Sequence, residues 1–323
     1  MSKGCPALQQ GDSALTEEEP SQKEQKQLIT PSTVYLNGEF VPSDQAKVSV
    51  FDRGFLFGDA IYEVVSVIHG GIFDEVPHME RLERSLAKVG MPMPMSQEQF
   101  VHTILEVVDR NELDEGVVYM QITRGAGDRT FTYNSLVDAG MTQNIVMFAQ
   151  HLNLLNAPAI ESGLSIKTVP DIRWRRCDIK TVQLLGASLS KTAAAREGYN
   201  GIWFVDPDTH MITEGDSNNT FIVQGNTVIS PGLHRNVLPG ITRNVVKEIV
   251  EAAEGLEFEE ADFGVDAALA ADEAFATSAG LFVTGVTSLD GRPISGSKVG
   301  PITKRLRKLY IERALEHLTI SDN

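Results

Sequence analysis

Apolar positions along this chain recur with two periods, near 2 and near 3.6, and the switches between them predict alternating strands and helices. Residues 1–31 follow neither period. Runs such as Glu17-Glu18-Glu19-Pro20 and Gln22-Lys23-Glu24-Gln25-Lys26-Gln27 have little apolar surface to bury and predict a disordered leader. Order is expected from Thr33-Val34-Tyr35-Leu36, where Asn37-Gly38 offers a type I′ turn into Glu39-Phe40-Val41. The β-branched run Ile61 to Ile68 predicts a strand that Gly70-Gly71 turns into Ile72-Phe73. Pro77 then opens a helix whose Leu82, Leu86 and Val89 share one face, with His78, Arg81 and Ser85 on the opposite side. Ser96 and Gln99 form a capping box ahead of Phe100, Ile104 and Val107, and strands follow at Val117 to Thr123 and Ile145 to Phe148.

Beyond a looser segment, 153–163, the pattern restarts with a strand from Leu164 to Val169. A helix is expected from about Leu184 to Glu197, then strands Ile202 to Val205, Thr220 to Val223 and Thr227 to Ser230, separated by Pro207-Asp208 and Gly225-Asn226. Gly240-Ile241-Thr242-Arg243 opens another helix, Ala274 to Ser278 and Val283 to Ser288 read as strands, and Ile302 to Leu318 closes the chain as an amphipathic helix. The fold class this predicts is α+β, in four parts. These are the leader at 1–31, a small N-terminal α/β domain at 32–152, an interdomain linker at 153–163, and a larger C-terminal, β-rich domain with helices at 164–323. Their junction near Lys180 would leave a cleft, a usual place for a cofactor.

Composition narrows the function classes. At 323 residues, 42% hydrophobic and 22% charged, the chain is long enough for two modest cores. A formal net charge of -16 disfavours nucleic acid and anionic membrane as partners, since both are held by an excess of Lys and Arg. Cys5 and Cys177 are the only cysteines, too few for a disulfide framework, and there is neither a membrane-length apolar run nor a signal-peptide core, so a cytoplasmic setting is expected.

The chemistry concentrates at Arg176-Cys177-Asp178-Ile179-Lys180 and Ile212-Thr213-Glu214-Gly215. A lysine forms a Schiff base with an aldehyde, and a buried carboxylate opposite a pyridine nitrogen keeps that nitrogen protonated, which together suit pyridoxal phosphate. Taken singly, Lys180 reads as a surface lysine and Glu214 as part of a common Thr-Glu-Gly turn. Asp216-Ser217-Asn218-Asn219 adds polar groups that could hold a ring substituent, and Gly240-Ile241-Thr242 offers backbone N–H groups at a helix start for a phosphate, or an ordinary threonine cap. Arg81 reads as a solvated helix residue or as the phosphate's counter-charge. No metal site is expected.

Four spaced segments carry a resemblance. Val48 to Asp59 (VSVFDRGFLFGD) with Ile61-Tyr62-Glu63-Val64, Asp171 to Lys180, Thr213-Glu214-Gly215, and Leu238-Pro239-Gly240-Ile241-Thr242-Arg243 resemble those of D-amino-acid aminotransferases. These are fold type IV pyridoxal-phosphate enzymes, relatives of branched-chain aminotransferases, (R)-amine transaminases and aminodeoxychorismate lyase. The resemblance runs from about Tyr35 to Leu309. It implies a two-domain fold, a homodimer with the active site shared across subunits, and ping-pong transamination of D-amino acids with 2-oxoglutarate or pyruvate through a Schiff base on Lys180. It further implies Glu214 at the ring nitrogen, Arg81, Ile241, Thr242, Ser278 and Ala279 around the phosphate, Leu238 against the ring, and Asn219 among the cofactor contacts. Tyr62 and Tyr119 fall at substrate-side positions, Arg129 where a neighbouring subunit's arginine binds the α-carboxylate, and His78 and Arg173 at supporting ones. Two positions depart from the pattern: Phe131 replaces the histidine usually found two residues after that arginine, and Ala279 replaces a phosphate-binding threonine. An (R)-amine transaminase or dual-specificity enzyme is the alternative, with the lyase and a branched-chain aminotransferase further away.

Overall fold

The computed structural model describes residues 33–320, so the expected leader and Cys5 lie outside the described residues. The first sheet contains β1 (Thr33–Leu36), β2 (Glu39–Pro42), β3 (Ala60–Ile68), β4 (Gly71–Ile72), β5 (Glu115–Thr123) and β6 (Asn144–His151), in the spatial order β2-β1-β6-β5-β3-β4. All its pairings are antiparallel. The β1–β2 hairpin turns at Asn37 (φ 53°) and Gly38 (φ 101°), the two left-handed residues that a type I′ turn requires.

One face of this sheet is covered by α2 (Glu75–Lys88) and α3 (Gln97–Arg110), which follow the short α1 (Arg53–Phe57). Leu82 and Leu86 of α2 and Phe100, Ile104 and Val107 of α3 are fully buried against Ile61, Val65 and Val67 of β3. Truncating any one of these would cost about 2–5 kcal/mol through lost burial and a residual cavity. The Ser96–Gln99 capping box forms as expected. In contrast, α2 starts at Glu75, two residues before Pro77, and the side with His78, Arg81 and Ser85 is buried, which sets aside the reading of Arg81 as a solvated residue. Period-2 alternation explains why: Glu63 shares the helix-facing side of β3 with Ile61 and Val65, and a carboxylate there draws the cationic side of α2 inward.

A short helix, α4 (Asn134–Asp138), precedes β6, and α5 (Ala159–Ser162) lies between the two sheets in sequence. The larger sheet follows, built from β7 (Leu164–Pro170), β8 (Gly201–Val205), β9 (Ile212–Gly215), β10 (Asn219–Gln224), β11 (Thr227–Ser230), β12 (Glu257–Glu260), β13 (Glu273–Ser278), β14 (Phe282–Leu289) and β15 (Arg292–Pro293). Its order is β12-β11-β10-β13-β14-β7-β8-β9, with β15 beside β14. The β11–β12, β14–β7 and β7–β8 pairs are parallel and the rest antiparallel. Helices α6 (Leu185–Arg196), α7 (Ile241–Ala252), α8 (Val265–Ala270) and α9 (Pro301–Glu316) accompany this sheet. Buried Glu273 fixes the start of α9 by accepting from the Ile302 and Thr303 backbone N–H groups at 2.9 and 2.8 Å.

Glu214 corrects the sequence reading. It sits on β9 rather than in a turn, because Ile212 to Gly215 completes the sheet edge beside β8. The Ile212 to Gly215 run is too short for its period to show in the sequence.

Candidate active site

Where the two sheets meet, a cavity of about 420 Å³ opens, within the range typical of small-molecule sites. Lys180 is placed there by backbone pairing: the Tyr62 N–H donates to the Lys180 carbonyl at 2.9 Å, and Thr181 bridges Ile61. The Lys180 ammonium nitrogen stands 4.3 Å from the centre of the Tyr62 ring. Burial lowers the Lys180 pKa, assisted by the nearby Arg81 charge, to about 8. Its amine is thus partly neutral near physiological pH, as a nucleophile and proton carrier needs to be.

Glu214 lines the same cavity. Its carboxylate accepts from the Leu238 backbone N–H at 2.9 Å and from Asn219 Nδ2 at 3.3 Å, and it pairs with Arg173. Burial raises the Glu214 pKa and Arg173 opposes that rise. Arg173 is in turn fixed by Asp171 through Nε and Nη2 at 2.9 and 2.7 Å. Burial alone would lower its pKa, but Glu214 and Asp171 drive it above its ordinary value. Asn219 also donates to the Leu238 carbonyl at 2.9 Å, locking the loop that brings Leu238 into the cavity.

One wall of the cavity is built to receive an anion. Gly240 is the N-cap of α7, so Ile241 and Thr242 are its first helical residues and line the cavity with their N–H groups unused by the helix. Thr242 is therefore inside the helix, and the reading of it as the cap is set aside. Arg81 reaches the same wall. Its Nε and Nη2 donate to Glu63 at 2.7 and 2.8 Å and its Nη1 to the Pro239 carbonyl at 3.2 Å, while His78 Nδ1 lies 3.0 Å from Glu63. Burial alone would raise the Glu63 pKa; the charge and hydrogen bonds of Arg81, with those of His78, hold it far below the usual carboxylate range. The guanidinium keeps two N–H bonds beyond those contacts.

Thr277, Ser278 and Ala279, at the end of β13, complete this wall. Ala279 is fixed by Ser66, whose hydroxyl donates to its carbonyl at 2.8 Å. Thr277 and Asn218 line the cavity, and Thr277 Oγ1 and Asn218 Oδ1 are buried without a hydrogen-bond partner among the described residues. Such orphaned groups are what a polar ligand would satisfy. A phosphate held at the α7 start, a ring against Leu238 and an aldehyde at Lys180 are matched by these donors, so the residues present fit pyridoxal phosphate. Cys177 also lines the cavity, but burial pushes its thiol up to about 12, leaving it un-ionised.

The structure thus brings Lys180, Glu214, Arg81, Leu238, Ile241, Thr242, Ser278, Ala279, Asn219, Tyr62, His78 and Arg173 to one volume. Tyr119 stands behind Tyr62 rather than on the cavity wall, with ring centres 5.5 Å apart. Arg129 and Phe131 are not brought to it; both are exposed, and both contact the ring of Phe57. Glu63 escaped the sequence reading, although a lone acid on the apolar side of a β-branched strand is a signal that a cation must meet it.

The profile of the amino-transferase class IV family matches residues 60–289. A D-alanine aminotransferase of Staphylococcus aureus (strain MSSA476) is 37% identical over 282 residues, spanning 86% of this chain and 98% of that protein. The D-alanine aminotransferase of Bacillus licheniformis is 32% identical over 290 residues, spanning 90% of this chain and 98% of that protein. Among solved structures, an Escherichia coli branched-chain amino acid aminotransferase superposes with a TM-score of 0.79 at 25% identity, covering 91% of this chain and 97% of that one. The T.th. branched-chain amino acid aminotransferase with pyridoxamine 5′-phosphate gives a TM-score of 0.79 at 25% identity over 90% of this chain and 99% of that one.

Proposed function

The chain belongs to the class IV aminotransferases, and from that premise we propose that it is a pyridoxal-phosphate enzyme moving the amino group of D-amino acids to a 2-oxo acid in two half-reactions. The observation that carries the chemistry is the convergence of the Lys180 amine, the Glu214 carboxylate and the start of α7 on one cavity. The preference for D-amino acids rests on the D-alanine aminotransferases it resembles over most of its length.

When bound, pyridoxal phosphate supplies an electron-withdrawing ring that acidifies the Cα–H of the amino donor. Lys180 would hold the cofactor through its amine and would move the proton at the donor's Cα. Glu214, fixed by Arg173 and Leu238, keeps a proton on the ring nitrogen. Arg81, oriented by Glu63, binds the phosphate with the Ile241 and Thr242 N–H groups, Ser278 and the Thr242 hydroxyl. Leu238 packs on the ring, and Ala279 leaves this cradle one hydroxyl short.

Arg129 and Phe131 enter this reading as residues that complete the site of a neighbouring subunit in a homodimer. The exposed apolar surface supports it: Phe55 and Phe131 are 73% and 81% exposed, and Phe51, Ile172, Leu185 and Leu189 are exposed as well. In the partner's cavity Arg129 binds the donor's α-carboxylate and Tyr62 faces the substrate. Phe131, in place of a polar side chain, favours a second reading in which some (R)-primary amines are also donors. In this reading the two sheets are the cores of a small and a large domain, with 153–163 as the linker. No described helix is long and apolar enough to cross a membrane, and a cytoplasmic location completes the reading.

The test is a donor profile of the cofactor-loaded enzyme with 2-oxoglutarate as acceptor. D-alanine should yield pyruvate and D-glutamate, with L-alanine and L-leucine at least about a hundredfold slower. A strict preference for L-amino acids would overturn the assignment, and release of pyruvate from aminodeoxychorismate without an acceptor would point to the lyase.

A further inference from the structure

The loop that carries Arg129 has no regular structure between the end of β5 and α4, yet it is anchored at both ends of its turn. At its root, Asp52 accepts from the Thr123 hydroxyl and from Asn144 Nδ2, both at 2.6 Å, and the Arg53 backbone N–H donates to the Gly125 carbonyl at 2.9 Å. Gly125 has φ +111°, and a Cβ there would come within 1.9 Å of the Thr142 carbonyl oxygen, so the root admits only glycine. At its tip the chain turns sharply, the Thr130 N–H meeting the Asp128 carbonyl at 2.8 Å.

One side chain from outside the loop, among the described residues, donates a hydrogen bond to that tip. Arg53 donates through Nη1 to the Thr130 carbonyl at 2.7 Å and through Nε to Asp59 at 2.8 Å. Asp59 also receives Arg124 through Nε and Nη2 at 2.8 and 3.0 Å, and Arg124 stacks over Tyr133, its guanidinium carbon 3.8 Å from the ring centre. Both arginines are buried although they sit beside an exposed loop. Phe57 adds the apolar half of the anchor: its ring lies 4.5 Å from the Arg53 guanidinium carbon, 5.6 Å from that of Arg129, and 5.7 Å from the centre of Phe131. Arg129 itself makes no hydrogen bond or ion pair among the described residues.

We propose that the Arg53–Asp59–Arg124 cluster and Phe57 are positioning residues for substrate-carboxylate recognition, holding the 128–131 turn so that the free Arg129 guanidinium is presented in one orientation. A flexible, exposed arginine loses conformational entropy on capturing a carboxylate, and a turn fixed beforehand removes part of that cost. The inference rests on the carboxylate role given to Arg129 above.

Two variants test it. Arg53→Lys keeps a cation for Asp59 but cannot span both Asp59 and the Thr130 carbonyl; Phe57→Leu leaves the ion cluster intact and removes the ring, so it decides the matter if the first variant fails to fold. The readouts are the apparent Kd for D-alanine in the donor half-reaction, the maximal rate of that half-reaction, and the Kd for pyridoxal phosphate measured by fluorescence. Each variant should raise the D-alanine Kd about tenfold while the maximal rate and the cofactor Kd stay within about twofold, and neither should raise it further in an Arg129→Leu background. If Arg129→Leu raises the D-alanine Kd and the two variants do not, or if their effects simply add to it, the positioning role is overturned and the role of Arg129 stands. If Arg129→Leu leaves the D-alanine Kd unchanged, the carboxylate reading itself fails.

Discussion

Glu63→Gln is the substitution whose consequences follow most directly from the geometry. The Glu63 carboxylate is fully buried and meets three nitrogen atoms, Arg81 Nε and Nη2 at 2.7 and 2.8 Å and His78 Nδ1 at 3.0 Å. Glutamine keeps the volume but has one acceptor and one donor end. Whichever way the amide turns, its NH2 faces an arginine N–H, and Arg81 is left as a buried cation without its counter-charge. Removing one partner of a buried ion pair costs about 3–5 kcal/mol. At roughly 2–4 °C per kcal/mol, that corresponds to a fall in the thermal midpoint of roughly 6–20 °C. Bound cofactor brings phosphate charge to Arg81, so the fall should be smaller in the loaded enzyme than in the apoenzyme.

The pH dependence has a definite sign. Because the folded-state pKa of Glu63 is depressed, its contribution is complete above the unfolded carboxylate value of about 4.3 and is lost only as pH falls toward the folded value. The difference in midpoint between wild type and Glu63→Gln should thus be constant from about pH 5.5 to 8 and shrink only under acid. Thermal unfolding followed by circular dichroism, with and without cofactor, reads both effects. A midpoint within about 2 °C of wild type in the apoenzyme would refute the assignment of Glu63 as the required counter-charge, and an equal fall in apo and loaded forms would refute the placement of phosphate at Arg81.

Other outcomes follow from the same site. Lys180→Ala should reduce turnover by at least about 10³-fold, as the loss of both nucleophile and proton carrier implies, while pyridoxal phosphate still binds noncovalently; near-normal activity would exclude the role. In the apoenzyme, the rate of covalent cofactor capture should rise through a midpoint near 8, where burial places the Lys180 amine, and an inflection near 10 would mean a solvated lysine. Glu214→Gln should slow single-turnover transamination by about 10²-fold, the scale of one preorganised electrostatic contact, with parity to wild type as the contrary result. Ala279→Thr should tighten cofactor binding about tenfold by restoring one hydroxyl donor to the cradle, and an unchanged Kd would show that the cradle is already complete.

Local signals are legible in the sequence where a few neighbouring residues decide the structure. Asn37-Gly38 sets its turn because both residues tolerate left-handed φ, and Ser96 with Gln99 caps α3 because the partners are three residues apart. The Lys180, Glu214 and α7 segments are likewise legible, since each carries its chemistry in a short motif. Ile212 to Gly215 is not legible as a strand: four residues show no period, and only the β8 edge beside them makes them one. The burial of His78 and Arg81 escapes sequence reading for a related reason. Helical spacing separates two faces but does not say what a strand places against the second one.

The longer elements, the fold family and the kinds of group that do the chemistry were therefore written into the chain, because turns, caps and motifs act over a few bonds. Which charges meet was decided by folding alone. Glu63 lies eighteen residues from Arg81 and Glu214 forty-one from Arg173, and Arg53 reaches Thr130 across seventy-seven. A charge carries no directional signal along the chain; it acquires a partner, and a shifted pKa, only when folding removes the water that would otherwise solvate it.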